Sequence, residues 1–295
     1  MRRYFVAALF FISCCFPAQA QISPQVKLLV ANPINCPQAQ AWIARTTALT
    51  PTEQSAYTGM ICGMVIDGTW CGPTFDAFYI FATNTTTTAN LNLCSTSFGL
   101  SQTGTVTFAA DKGYTGNGST GFLDTGYLVN SNLATLNSTT AAVYGLTVGG
   151  AASNAVEIGS GNTALSTVTY IAPNNSGGSV GLLTAVNTNT SVQDTGFATT
   201  NGFFVVSRTT SNATNTYFNG AIAPLLTSAA NAGALGTMHS FLILAARLGA
   251  SAAPSNFSPH QVSAAIIGPG WTATTQNLIS NRVNGYMRAL GINQY

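Results

Sequence analysis

Short strand-like runs recur between residues 105 and 267, each bounded by Gly, Asn, Ser or Pro, and this rhythm restricts the chain to a many-stranded β architecture. The runs lie at 105–109, 121–123, 141–148, 155–158, 167–171, 180–185, 203–207, 216–218, 241–246 and 261–267. The 174–178 stretch (Asn-Asn-Ser-Gly-Gly) reads as a loop. Asn219-Gly220, between Tyr217-Phe218 and Ala221-Ile222, gives a two-residue hairpin signal, because both positions of such a turn need positive φ. Hydrophobic residues make up 46% of the chain, enough for a core, while only 5% are charged. Ordinary soluble domains carry roughly a quarter. That balance excludes a charged disordered tail. It also excludes a nucleic-acid binder, since nine basic residues spread over 295 form no phosphate-neutralising patch.

The first twenty residues read as an export signal. Arg2 and Arg3 precede an apolar run over 4–16, and Ala18-Gln19-Ala20 is a small-x-small cleavage site. The run is shorter than the roughly 20 residues that span a bilayer. The expected mature chain starts at Gln21, is periplasmic or extracellular, and has no later transmembrane segment. Without Arg2 and Arg3, seven basic residues face seven acidic ones, so its net charge is near zero. Cys14 and Cys15 leave with the signal. Cys36, Cys62, Cys71 and Cys94 remain, an even number in an oxidising compartment, which predicts two disulfides.

Residues 21–34 read as a linker and 35–82 as a disulfide-stapled helical head. Trp42 and Ile43 lack strand alternation, so 36–47 reads as a short helix. Thr50-Pro51-Thr52-Glu53 then has the form of a capping box with proline at the first helical position. Tyr57, Ile61, Met64 and Val65 share one face, and Gly68 ends the helix. Two helices joined by a short turn run antiparallel, which favours Cys36–Cys62 and leaves Cys71–Cys94. The 75–82 run is continuously apolar and reads as a buried strand or a buried helix; the 85–88 threonine tract reads as a loop. Residues 83–295 form the β body. It closes with a helix that Thr272 can cap, with Ile279, Val283, Tyr286, Met287 and Leu290 as its apolar stripe and Gly291 as its stop.

Several phrases carry a family likeness. They are Phe75-Asp76-Ala77-Phe78-Tyr79-Ile80-Phe81-Ala82, Gly113-Tyr114-Thr115-Gly116-Asn117-Gly118 and Phe122-Leu123-Asp124-Thr125-Gly126-Tyr127. Ser207-Arg208-Thr209, Tyr217-Phe218-Asn219-Gly220, Pro254-Ser255-Asn256-Phe257-Ser258 and Tyr286-Met287-Arg288-Ala289-Leu290-Gly291 continue the series. In this order they resemble the concanavalin A-like (laminin G-like) lectin and glucanase domains of bacterial and tailed-phage proteins. The resemblance spans roughly 70–295. It implies a mainly β, two-sheet antiparallel jelly-roll sandwich, here with an N-terminal helical hairpin and a C-terminal helix, often built for glycan or surface recognition. No particular ligand follows, since the fold hosts lectins, glycosidases and structural modules.

The acids are Glu53, Asp67, Asp76, Asp111, Asp124, Glu157 and Asp194. Retaining glycosidases of this kind set two carboxylates on alternate residues of one strand, about 5 Å apart. No such pattern occurs, and only a distant pair such as Glu157 with Asp194 could substitute. Asp-Thr-Gly occurs at Asp124 and at Asp194, a triplet that aspartic proteases use twice. Tyr127 and Phe197 follow where Ser or Thr is needed, so both read as Asx turns. His239 and His260 belong to no metal or triad motif. No cofactor is expected. Calcium is the one ion the resemblance admits, though no Asp-x-Asp cluster supports it. Arg208 and Arg247 sit in apolar strands and need acid partners, with Asp124 and Asp194 the candidates.

Sugar recognition needs flat aromatics and neutral polar groups. Trp70, Tyr114, Tyr127 and Tyr170 are the candidates for ligand stacking. The expected function is therefore an exported non-catalytic module that binds a glycan or cell-surface polymer. The alternatives are a structural or adhesion protein descended from a phage tail-type module and, further off, a glycoside hydrolase.

Overall fold

A computed structural model describes residues 36–147, 155–173, 181–197, 199–292 and 295. The expected signal peptide, the linker and the 174–178 loop lie outside these residues, as do Val148 and Val180 at two strand ends.

The head begins with two helices, α1 (Pro37–Ile43) and α2 (Pro51–Ile66). The α2 capping box is complete. Thr50 Oγ1 accepts the Glu53 amide at 3.2 Å, and Glu53 Oε2 accepts the Thr50 amide at 2.8 Å. Gly68, at φ +69°, turns the chain out of the helix, a conformation that costs glycine nothing. Cys71 and Cys94 are disulfide-bonded, with Cα atoms 5.5 Å apart.

Cys36 and Cys62 stand as thiols in mutual contact rather than as the expected bond, with Cys36 Sγ turned toward Gln38 Oε1. Burial, and then the neighbouring Cys36, push the Cys62 thiol up to about 12. Oxidation by a disulfide donor therefore has to start at the more accessible Cys36. After such treatment, alkylation of the unfolded but unreduced mature protein is expected to label neither cysteine. Two labelled thiols would show that the pair stays reduced.

Two antiparallel sheets follow. The larger has the spatial order β13 (Leu226–Ser228), β12 (Ala213–Phe218), β11 (Gly202–Thr210), β6 (Thr139–Gly145), β17 (Gln261–Gly268), β4 (Gly113–Gly116) and β3 (Val106–Ala109). Its eighth strand, β1 (Ala77–Ile80), also pairs with β17. The smaller has seven strands, in the order β10 (Val192–Asp194), β9 (Leu182–Thr188), β8 (Val168–Pro173), β7 (Ile158–Gly161), β14 (Leu242–Ile243), β5 (Phe122–Asp124) and β2 (Ser101–Thr103). A short ribbon pairs β15 (Ala246–Arg247) with β16 (Pro254–Ser255). The chain is thus mainly β, a two-sheet antiparallel sandwich with helices at either end of the sequence.

Two cores explain the apolar runs. Between the sheets, Tyr79, Val143, Phe204, Val206 and Ile267 meet Leu123, Ile158, Ile171, Leu182 and Ile243. On the outer face of the large sheet, Phe78, Tyr144, Phe203, Val205 and Ile266 meet Trp42, Tyr57, Met64, Ile279, Val283 and Met287 of the helices. The C-terminal helix α4 (Ala273–Ala289), capped by Thr272, supplies the last three. Strands β1, β6, β11 and β17 are therefore covered on both faces. That is why 75–82 is apolar without alternation, and it resolves that run as a strand.

Two local expectations fail. The threonine tract forms a one-turn helix, α3 (Thr86–Ala89), because Thr85 Oγ1 accepts the Thr88 amide. Asn219 and Gly220 do take positive φ, +51° and +73°, but they do not close a two-residue hairpin. Residue Thr216 pairs with Leu226, so the connection runs on through 221–225. The reason lies in α4. Gln276 Nε2 holds the Ala221 carbonyl at 2.6 Å and Asn277 Nδ2 holds that of Gly220, which pulls the chain away from the strand.

Candidate functional site

Most charged side chains of the described chain act as internal bolts. Glu157, just ahead of β7, is 1% exposed and bonds His260 Nδ1 at 2.5 Å, with Ser258 Oγ 2.9 Å from its second oxygen. Because Ser258 and His260 lead into β17, this set fastens one sheet to the other. Arg282 forks onto Asp67 (2.7 and 3.0 Å) and ties α4 to the end of α2. Arg45 reaches the carbonyls of Asn92, Leu93 and Ser95 and lies over the Trp42 ring. While Glu53 Oε2 caps its helix, Oε1 accepts Thr83 Oγ1 and the Asn84 amide, both at 2.7 Å. Lys112 and Arg288 are the exposed cations among the described residues.

Of the two arginines expected to need acids, Arg247 meets Asp124 at 3.1 Å. Among the described residues Arg208 meets no acid. It is fully buried and bonds only carbonyls, those of Val186, Thr210, Ser211 and Ala230. Four carbonyl dipoles converge where the sequence suggested a carboxylate, and Asp194 instead accepts the Gly196 amide at 2.9 Å. Asp124 accepts the Gly126 amide in the same way, so both Asp-Thr-Gly triplets are Asx turns. Their strands, β5 and β10, lie five strand spacings apart in one sheet, about 24 Å at the usual spacing. No shared-proton dyad can form. Glu157 and Asp194 lie three spacings apart, about 14 Å, outside the range of a glycosidase pair. Among the described residues no group of three or more His, Cys, Asp or Glu side chains is placed to hold a metal.

Asp111 is the acid with a raised affinity for protons. Burial raises its pKa first and the Glu53 carboxylate second, and its amide bonds the same Thr83 that holds Glu53. A folded pKa above the unfolded one makes the ionised form a liability, absent below the ordinary aspartate range and full above the folded value. Asp111→Asn is expected to raise the unfolding midpoint at pH 7 and leave it unchanged near pH 3. Asparagine also tolerates the local φ of +58°. Equal midpoints at pH 7 would contradict this.

The four aromatic candidates are not brought together. Tyr114 is buried between Phe81 and Phe108 and donates to Asn90 Oδ1 at 2.7 Å. Burial pushes its hydroxyl up to about 12 against the easing effect of Asn90. Tyr127 is buried against Phe98 and Phe241, with its hydroxyl 2.6 Å from Asp76 Oδ2. Both are core residues and cannot stack on a ligand, because an apolar site existed for each ring and a partner for each hydroxyl. Trp70 is half-buried edge-on to Phe75, and Tyr170 is half-buried against Val156, Ala172 and Ala246. Among the described residues the exposed large apolar side chains are aliphatic: Ile66, Leu128, Leu133, Leu165, Ile222 and Leu225.

A concave site does lie among the described residues. A shallow groove of about 320 Å³ runs between two loops at the rim of the sandwich, lined by Leu128, Asn130 and Ser131 on one wall and Leu235, Thr237 and Met238 on the other. Buried anchors set both walls. Asp76, ahead of β1, accepts the Tyr127 hydroxyl and the amides of Leu133 and Ala134 (3.0 and 3.3 Å), which fixes the 128–134 loop. Asn162, 0% exposed, donates to the Ala234 and Leu235 carbonyls at 2.9 and 3.1 Å. Thr163 N bonds the Thr237 carbonyl at 3.0 Å. The groove is uncharged. Its side chains offer leucine and methionine faces beside an amide and two hydroxyls. Sequence reasoning missed it because both walls read as connections. Leu128 and Leu235, apolar residues inside Gly/Asn/Ser-rich loops, were the available signal.

No protein-family model and no curated protein sequence matches the chain. Solved structures do. The binding domain of botulinum neurotoxin serotype D is similar at a TM-score of 0.47 and 8% identity, over 70% of this chain and 51% of that one. The receptor binding domain of the botulinum neurotoxin C/D mosaic serotype gives 0.46 and 10%, again over 70% and 51%. The NanB sialidase from Streptococcus pneumoniae gives 0.33 and 9%, over 44% and 22%. The chain thus spans about half the length of the neurotoxin domains that it matches. No helix among the described residues is long and apolar enough to cross a membrane.

Proposed function

We propose that this chain is an exported, non-catalytic recognition module that binds a neutral glycan or cell-surface polymer in the rim groove. The observation that carries this reading is the pairing of an uncharged, pre-set groove with a scaffold most of whose described charges are engaged internally. Leu128, Leu235 and Met238 fit the C–H face of a sugar ring, and Asn130, Ser131 and Thr237 fit its hydroxyls. Stacking on aromatic rings plays no part, which departs from the sequence expectation. An array of glycans probed with the mature, oxidised protein tests the proposal. Neutral glycans are expected to be retained equally with calcium and with chelator. A blank array, or hits confined to charged glycans, would contradict it.

A second reading, a structural or adhesion module, is favoured by one feature. Residues 221–225 (Ala-Ile-Ala-Pro-Leu) are all exposed, beside the edge strand β13. That reading predicts concentration-dependent self-association in sedimentation, without affinity for small sugars.

A further inference from the structure

The interior between the sheets is apolar along most of its length and polar at one end. There Thr184 and Thr216 share a hydrogen bond at 2.8 Å, and Asn187 donates to Thr139 Oγ1 at 2.8 Å. Arg208 enters the same space from β11, following Phe204 and Val206 at alternate positions of the strand. Its direct neighbours across the sheet are Thr139 on β6 and Thr214 on β12. Directly opposed residues of an antiparallel pair point to one face, with Cβ atoms about 5 Å apart. The Arg208 and Thr214 side chains therefore leave the same buried face of the sheet.

Both have hydrogen-bonding capacity to spare. Carbonyls take Arg208 Nε at 2.7 Å and Nη1 at 2.7, 3.1 and 3.4 Å. Arg208 Nη2 and Thr214 Oγ1 are buried, and neither has a hydrogen-bond partner among the described residues. Arg208 is 0% exposed and Thr214 is 3% exposed. A buried cation needs a full counter-charge, and carbonyl dipoles supply only partial ones. Two buried groups without a partner, on directly opposed residues of one sheet face and beside an uncompensated charge, call for an acceptor that is negative and small.

We propose that Arg208 Nη2 and Thr214 Oγ1 form a buried binding site for a small monoanion of halide size. The ion takes hydrogen bonds from both donors and neutralises the guanidinium. The guanidinium end lies near Thr210 and Ser211, which are exposed, so the ion enters from the end of the sandwich. Burial also lowers the Arg208 pKa, the direction expected for a cation short of counter-charge, though a guanidinium stays protonated at neutral pH. This site is separate from the rim groove and does not depend on its function.

Thermal unfolding of the full mature chain tests the site, in sodium chloride against sodium gluconate at one fixed ionic strength. Chloride binding to the native state alone raises the midpoint, by roughly 3–5 °C for a thirtyfold excess over the dissociation constant. Bromide is expected to act like chloride. Thr214→Val keeps the shape of the side chain and removes the donor, so it is expected to fold and to lose most of the chloride response. Equal midpoints in the two salts, as a bridging water would give, would overturn the proposal. So would a Thr214→Val protein with the full response, which would place the ion elsewhere.

Discussion

Glu157→Ala is expected to lower the stability of the protein by about 3 kcal/mol or more, because it leaves two buried hydrogen-bonding partners unsatisfied at once. The carboxylate is 1% exposed and holds both His260 and Ser258, so its loss strands a ring nitrogen and a hydroxyl inside the sandwich. Glu157→Gln retains the shape and one acceptor oxygen, so it is expected to cost less, about 1–2 kcal/mol. Urea unfolding of the three proteins decides this, with the midpoints shifted and the slopes unchanged. A loss below about 1 kcal/mol for the alanine variant would show that the set does not fasten the two sheets together.

Leu128→Asp is expected to weaken ligand binding at least tenfold and to leave the unfolding midpoint nearly unchanged. Leu128 is 36% exposed at the groove wall, so a carboxylate there stays hydrated and costs the fold little. It does remove an apolar face that a sugar ring would cover, and that face accounts for about 1.5 kcal/mol or more of the contact. Asp76→Ala supplies the contrast. It frees the Tyr127 hydroxyl and two backbone amides, so stability and affinity are expected to fall together. If Leu128→Asp binds as well as the parent, the groove is not the site.

The architecture was legible in the sequence because turns and strands carry local signals. The capping box at Thr50 and Glu53, the α4 stripe and most strand positions could be read from spacing alone. Strands covered on both faces were harder. The 75–82 run has neither a period of two nor one of 3.6, and only its pairing with β17 identifies it. Short strands such as Ser101–Thr103 and Val192–Asp194 hold one apolar residue at most, too few to show a period. The connection after Gly220 depends on Gln276 and Asn277, more than fifty residues downstream, so no local rule could anticipate it.

The site was less legible, for a related reason. An aromatic ring in a chain of this composition can serve a core or a ligand equally well. Tyr114 and Tyr127 went to the core because Asn90 and Asp76 satisfy their hydroxyls there. Arg208 illustrates the same gap for charge, since convergent carbonyls are a property of the folded backbone and leave no trace in residue identity. The groove arises only when Asp76 and Asn162 fix two loops that lie about a hundred residues apart.

The central claim is that recognition takes place through neutral contacts in the rim groove. The most direct measurement is calorimetric titration of the strongest array glycan into the parent and Leu128→Asp proteins, at roughly 0.05 and 0.5 M salt. The account predicts one affinity for the parent at both salt concentrations and at least tenfold weaker binding for the variant. An affinity that falls steeply with salt, or a variant that binds like the parent, would contradict it.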